Sequence, residues 1–224
     1  MNIKAIIFDL DGTLVNSVRD YADTANDVLN SYDFPTHTLQ DYQRFLGNGL
    51  VDFVQSILPA CYEPGSRVFE KCLEQFKRTY TANCCNYTTL YTGIVDLLDE
   101  LSSANVPLSL LTNKPQEMTL KVAQAYLDRW RFFHLMGYQG LFPQKPAPNA
   151  ALHIAQSIGI APNNIALVGG TPTDMHTARN AGMYGVGVAW GFRSVEELQE
   201  AGASKIVTEP KQIIDLVTNA CVVG

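Results

Sequence analysis

From about residue 92 onward the chain alternates short apolar runs with amphipathic segments, and this alternation confines it to an α/β architecture. The helix-like stretch 93–103 leads into Val106-Pro107-Leu108-Ser109-Leu110-Leu111, a buried-strand pattern, and 115–127 reads as helix with Pro115 in its first turn. Further helices are expected at 149–158, 173–181, 195–201 and 211–218, with strands at 165–168, 184–189 and 205–208. Strands separated by helices build a Rossmann-like, mainly parallel sheet with helices on both faces. At 224 residues, 46% of them apolar and 17% charged, the chain suits one large domain or one domain with a small insertion.

One further strand stands apart, at the start. Ala5-Ile6-Ile7-Phe8 is wholly apolar, as a strand covered on both faces should be, and it ends in Asp9-Leu10-Asp11-Gly12-Thr13. Two like charges at the end of a buried strand are costly unless a cation binds them or they share a proton. The alternative is a solvated loop with Asp11-Gly12 as an ordinary turn. Between this strand and the alternating region, residues 18–87 carry helical patterning at 18–29, 50–58 and 68–80 and no convincing strand. The expected organisation is a core of 1–15 and 90–224, with a small α-helical cap domain, 16–89, inserted after the first strand.

In open α/β sheets the ligand crevice lies beyond the carboxyl ends of the strands, so the residues delivered there matter most. The second strand delivers Thr112-Asn113-Lys114; a hydroxyl, an amide and main-chain N–H groups at a helix start suit phosphate oxygens, although a helix N-cap and turn would use the same residues. Gln144-Lys145-Pro146-Ala147-Pro148 sets one lysine in a proline-stiffened segment, either as a fixed cation or as a solvated loop residue. The strand at 165–168 ends in Gly169-Gly170-Thr171-Pro172-Thr173-Asp174. Asp174 either joins the same edge as a carboxylate or simply complements the dipole of its own helix.

Other features narrow the class. A net charge of −6, with the acidic residues spread along the chain, argues against nucleic acid or an anionic membrane as partner. The first residues lack the apolar core of a signal peptide and no apolar stretch is long enough to span a membrane, which points to the cytoplasm. Cys61, Cys72, Cys84, Cys85 and Cys221 have no metal-binding spacing and read as reduced thiols, with Cys84-Cys85 open to redox chemistry. His37, His134, His153 and His176 are scattered and read as surface or packing residues. No GxxxxGK loop occurs, and Gly185-Val186-Gly187 lies inside a strand, where close packing explains it. Trp130, Phe132 and Phe133 read as packing at a helix end or lining for an interface.

The order Asp9-Leu10-Asp11-Gly12-Thr13, Thr112, Lys145 and Asp174, each motif following a strand or preceding a helix, resembles the haloacid dehalogenase superfamily of phosphotransferases. Leu14-Val15-Asn16-Ser17, Thr112-Asn113-Lys114-Pro115 and Val188-Ala189-Trp190-Gly191-Phe192-Arg193-Ser194 with Ala201-Gly202-Ala203 are similar to its phosphoglycolate phosphatase branch, where Asn16 is usually aspartate; Phe45-Leu46-Gly47-Asn48-Gly49 resembles that branch's substrate loop, and a helix-terminating glycine pair explains it equally well. The resemblance implies a small phosphorylated metabolite as substrate and Mg²⁺ as cofactor. Asp9 would be the nucleophile, Asp11 the acid and base, Lys145 the charge-balancing cation, and Thr112, Asn113 and Gly12 the holders of the phosphoryl group, with Asp9, Asp11 and Asp174 on the metal. Pyrophosphatases and sugar phosphomutases share the same machinery, and a phosphate-binding protein that has lost efficient turnover is a further alternative. One position departs from the family's Gly-Asp-x-x-x-Asp pattern: Gly170 stands where its metal-binding aspartate belongs. Weak Mg²⁺ binding is expected, with turnover below that of a Gly170→Asp chain.

Overall fold

The computed structural model describes residues 2–218, so Cys221 lies outside the described residues. The main sheet contains β1 (Ala5–Phe8), β4 (Leu108–Pro115), β5 (Phe132–Tyr138), β6 (Ile165–Gly169), β7 (Tyr184–Val188) and β8 (Lys205–Val207), in the order β5-β4-β1-β6-β7-β8. Every neighbouring pair in it is parallel. The remaining strands, β2 (Val15–Asn16) and β3 (Thr89–Leu90), form a separate antiparallel pair.

Alternation along each strand divides the core into two layers. Ile6 and Phe8 of β1 join Leu108, Leu110, Ala166 and Val168 on one face, whereas Ala5 and Ile7 join Leu111, Ile165 and Leu167 on the other. α5 (Ile94–Ser103) and α6 (Gln116–Tyr126) supply Leu97, Leu98, Met118 and Val122 to the first layer. α7 (Asn149–Ile158) and α8 (Pro172–Ala181) supply Ala151, Ile154 and Ala178 to the second. α9 (Val195–Glu200) and α10 (Ile214–Thr218) complete the order. Because β1 lies between β4 and β6, the strand order reverses there, and the crevice opens at the ends of these three strands.

Two sequence expectations change. Trp130 and Phe132 pack in the same cluster as Ala123 and Leu127 at the end of α6, as expected, but Phe133 is exposed. Phe132 and Phe133 begin β5, a strand not expected from the sequence, paired only with β4 at the sheet edge, whose half-exposed pattern lacks the continuous apolar run that marks β1. β4 also runs on through Thr112-Asn113-Lys114, so these are strand residues and not a helix cap; Pro115 itself takes the N-cap position of α6.

Between β2 and β3 stand α1 (Val18–Asn30), α2 (Leu39–Phe45), α3 (Leu50–Ile57) and α4 (Arg67–Asn83). The short α2 begins at a capping box in which Thr38 accepts from the Asp41 N–H and Asp41 accepts from the Thr38 N–H. An aromatic cluster joins this layer: Tyr21 lies 4.2 Å from Tyr80 and 5.1 Å from Phe53 between ring centroids, and Phe53 lies 5.2 Å from Phe76. Buried Asp20 fastens α1 to the chain returning toward β3, accepting from the Tyr87 and Thr88 N–H groups at 2.9 Å and from the Thr88 hydroxyl at 2.6 Å.

Candidate active site

The buried strand ends concentrate charge. Lys145 Nζ donates to Asp9 Oδ1 at 2.8 Å, Asp174 Oδ1 at 2.6 Å and the Leu111 carbonyl at 3.0 Å, which uses all three of its N–H groups. The second oxygen of Asp174 accepts from the Thr171 N–H at 3.0 Å and hydroxyl at 2.7 Å. Asp9 Oδ2 has only a 3.5 Å contact with the Thr13 hydroxyl, and Asp9 borders a cavity of about 30 Å³ between the sheet edge and the helical layer. Burial raises the Asp9 pKa, Lys145 opposes it, and the neighbouring Asp174 and Asp11 carboxylates add to the rise; burial wins and the value reaches about 6. Lys145, flanked by two carboxylates, is raised despite its burial.

This sets a pH dependence. The unfolded chain loses the Asp9 proton near 3.8 and the native metal-free protein keeps it to about 6, so Asp9 lowers native stability as pH rises through that window. A carboxyl ¹³C titration of the metal-free protein should find a midpoint near 6 at Asp9; a midpoint near 4 would mean that Lys145 outweighs burial.

Asp11 is held by a second lysine. Lys114 Nζ lies 3.0 and 3.1 Å from the two Asp11 oxygens, and the Ser17 hydroxyl donates to Asp11 Oδ1 at 2.6 Å. The same ammonium lies 2.7 Å from the Tyr80 hydroxyl and 3.2 Å from that of Tyr21, beside both rings. The structure thus brings Asp9, Asp11, Thr112, Lys145 and Asp174 to one sheet edge.

Two of the residues expected to hold phosphate have other work. The Asn113 side chain donates to the Gly47 and Lys145 carbonyls at 3.1 and 3.0 Å and accepts from the Lys145 N–H at 2.8 Å, pinning two loops together. Gly12 donates its N–H to the Val15 carbonyl at 2.8 Å. What Gly12 supplies is conformational: its φ is +78°, and an added Cβ would lie 2.6 Å from the Phe192 ring.

The pattern that defines the haloacid dehalogenase-like hydrolases matches residues 6–188. The chain belongs to this family. The phosphoglycolate phosphatase of Chromobacterium violaceum is 30% identical over 220 residues, spanning 97% of this chain and 98% of its own length. That of Pasteurella multocida is 28% identical over 219 residues, spanning 96% and 98%. Among solved structures, a predicted phosphoglycolate phosphatase from Haemophilus somnus superposes with a TM-score of 0.90 at 28% identity, covering 97% of this chain and 99% of that one.

The strand end at Gly170, the position that departs from the expected sequence pattern, is tightly packed. A Cβ on Gly170 would lie 2.7 Å from the Gly12 carbonyl oxygen and 3.5 Å from Cα of Gly191, and one on Gly191 would lie 2.5 Å from the same oxygen. Three glycine backbones, those of Gly12, Gly170 and Gly191, lie close together at this strand end, where the sequence resemblance leads one to expect a carboxylate. Asp174, expected on the metal, gives one oxygen to the Lys145 ammonium and the other to the Thr171 N–H and hydroxyl. Among the described residues no group of three or more His, Cys, Asp and Glu side chains is arranged to hold a metal ion. The donors that fit a hard cation are the free oxygen of Asp9 and the neighbouring Asp11, a sparse set that suits Mg²⁺ retaining several waters. Gly170→Asp is therefore expected to tighten metal binding roughly 10- to 100-fold while costing about 1–3 kcal/mol of stability from the backbone shift it forces. Calorimetric Mg²⁺ titration and thermal unfolding measure the two effects; unchanged affinity would mean that residue 170 does not face the ion.

Sequence reasoning does not single out several residues that the structure brings to this sheet edge. In the sequence Lys114 stands only as part of a phosphate-facing segment, and its partners Tyr21 and Tyr80 lie on helices whose aromatic pattern signals only packing. Arg193 donates to the Gln43, Arg44 and Leu46 carbonyls at the end of α2, the last two at 2.6 and 2.8 Å, so the turn after β7 grips the helical layer. The one available signal for Arg193 was its place in the Trp190-Gly191-Phe192-Arg193-Ser194 stretch.

Proposed function

We propose that this protein is a Mg²⁺-dependent phosphatase that hydrolyses a small phosphate monoester, 2-phosphoglycolate, through an aspartyl-phosphate on Asp9. The observation that carries this reading is a buried Asp9 that lines a cavity at the sheet's carboxyl edge, with one oxygen held by Lys145 and the other bearing only a 3.5 Å contact from the Thr13 hydroxyl. Names of relatives that span nearly the whole chain support the choice of substrate.

In the first step an Asp9 oxygen bonds to phosphorus as the bond to the ester oxygen breaks, and Asp11 gives that oxygen a proton. In the second, water attacks phosphorus, Asp11 takes the water proton, and the bond to Asp9 breaks to release phosphate and restore the carboxylate. Lys145 holds the other oxygen of Asp9 and so aims the carboxylate, and Asp174 acts through Lys145. Thr112 lines the cavity and supplies a hydroxyl for a phosphoryl oxygen. Mg²⁺, held by Asp9 and the main-chain carbonyl of Asp11, would neutralise charge on the phosphoryl oxygens. Residues 16–89 serve as a cap over a core of 1–15 and 90–224. With about 30 Å³ beside Asp9 the present arrangement is closed, and substrate enters when the cap lifts.

No helix among the described residues is long and apolar enough to cross a membrane, and unpaired Cys61, Cys72, Cys84 and Cys85 suit a reducing cytoplasm. The closure at Gly170 favours a second reading, a phosphate-binding protein with slow turnover. Phosphate release with Mg²⁺ from 2-phosphoglycolate, pyrophosphate and hexose phosphates separates the alternatives: 2-phosphoglycolate should be cleaved fastest, and faster cleavage of pyrophosphate or absence of any release would overturn the proposal.

A further inference from the structure

We infer that Lys114 reads the organic end of the substrate and selects esters whose short tail carries a carboxylate. The inference rests on the phosphatase reading above and extends it to the specificity of the same site. Among the described residues lining the cavity, Lys114 is the one cation, and Asp9 and Asp11 border the same space. A phosphoryl group on Asp9 with its leaving oxygen at Asp11 directs the rest of the substrate past Asp11, whose oxygens lie 3.0 and 3.1 Å from Lys114 Nζ. In 2-phosphoglycolate a single methylene separates the ester oxygen from the carboxylate, so that anion comes within reach of the ammonium.

The ammonium is prepared for such an exchange. It has three N–H groups and four acceptor atoms within 3.2 Å: two on Asp11 and the hydroxyls of Tyr21 and Tyr80. One acceptor can yield to an incoming carboxylate while the others keep the lysine in place. Its position is set from both sides, since it grows from β4 and is enclosed by rings of α1 and α4, 4.6 and 4.7 Å away. The space closed off by Leu50 and Phe53 excludes a bulky tail, so charge and length are read together. Lys145 does not line this cavity, and its three acceptors match its three N–H groups one to one, with none to spare for an exchange.

The test compares 2-phosphoglycolate with its neutral isostere phosphoglycolamide, by equilibrium binding with Mg²⁺ to the full chain carrying Asp9→Asn to prevent turnover. The acid should bind roughly 10- to 100-fold more tightly than the amide, the scale of a lost charged hydrogen bond, and adding Lys114→Met should bring the ratio close to one. Equal binding of the two ligands with Lys114 present, or a preference that survives Lys114→Met in a folded protein, would overturn the inference. If Lys114→Met does not fold by circular dichroism, Lys114→Gln takes its place, and the preference of the lysine-bearing chain still decides. Phosphate release by the unsubstituted chain is measured in parallel: release without an acid preference removes this inference alone, and a preference without release removes the phosphatase reading alone.

Discussion

Replacing Lys145 with methionine is expected to destabilise the protein and silence it together. The ammonium sits between Asp9 and Asp174 at 2.8 and 2.6 Å in a place closed to solvent. Methionine fills similar volume, so packing changes little; what disappears is the charge that lets two buried carboxylates face each other. Removing one partner of a buried ion pair costs about 3–5 kcal/mol, a cost softened only as one carboxyl takes up a proton. Asp9 also loses the contact that aims it, and a catalytic rate loss of at least about 10²- to 10³-fold is expected from the missing positioning and charge. Chemical denaturation and steady-state phosphate release measure both. A variant as stable as the parent would mean that Asp9 and Asp174 are held by something other than Lys145.

Asp9→Asn should behave in the opposite way on stability. An amide cannot accept the phosphoryl group, and turnover is expected to fall by roughly 10⁴-fold or more, the order associated with deleting a covalent nucleophile. The native state, however, carries an Asp9 raised to about 6 from 3.8, a difference equal to at most roughly 3 kcal/mol of strain above pH 6. Asparagine removes that charge and leaves Lys145 paired with Asp174. The variant should therefore unfold at a higher temperature than the parent at pH 7 and lose this advantage near pH 4, a trade of stability against activity centred on one residue. Lower stability of Asp9→Asn at pH 7 would show that the Asp9–Lys145 attraction exceeds the burial cost.

These contrasts explain what could be read from the chain before its fold was known. β1 and β6 are legible because burial on both faces demands unbroken apolar runs, and the residues after them follow from the chain direction. β5 is illegible for the converse reason: an edge strand half open to solvent tolerates His134 and Gly137. Asp9, Lys145 and Asp174 stand out because each ends a recognisable segment, but the engagement of both Asp174 oxygens depends on Thr171 geometry and on a lysine 29 positions away. Lys114 was hidden more deeply, since its partners lie 93 and 34 residues distant on helices of another layer. The departure at Gly170 was visible as a missing carboxylate; the convergence of Gly12, Gly170 and Gly191 that accompanies it was not.

The central claim is that Asp9 becomes covalently phosphorylated, and acid-quenched mass spectrometry tests it directly. After brief mixing with 2-phosphoglycolate and Mg²⁺, the peptide containing Asp9 should carry one phosphoryl group that hydroxylamine removes, and the Asp9→Asn chain should carry none. Phosphate release with the Asp9 peptide unmodified at every time point, or with the label on another residue, would contradict the account.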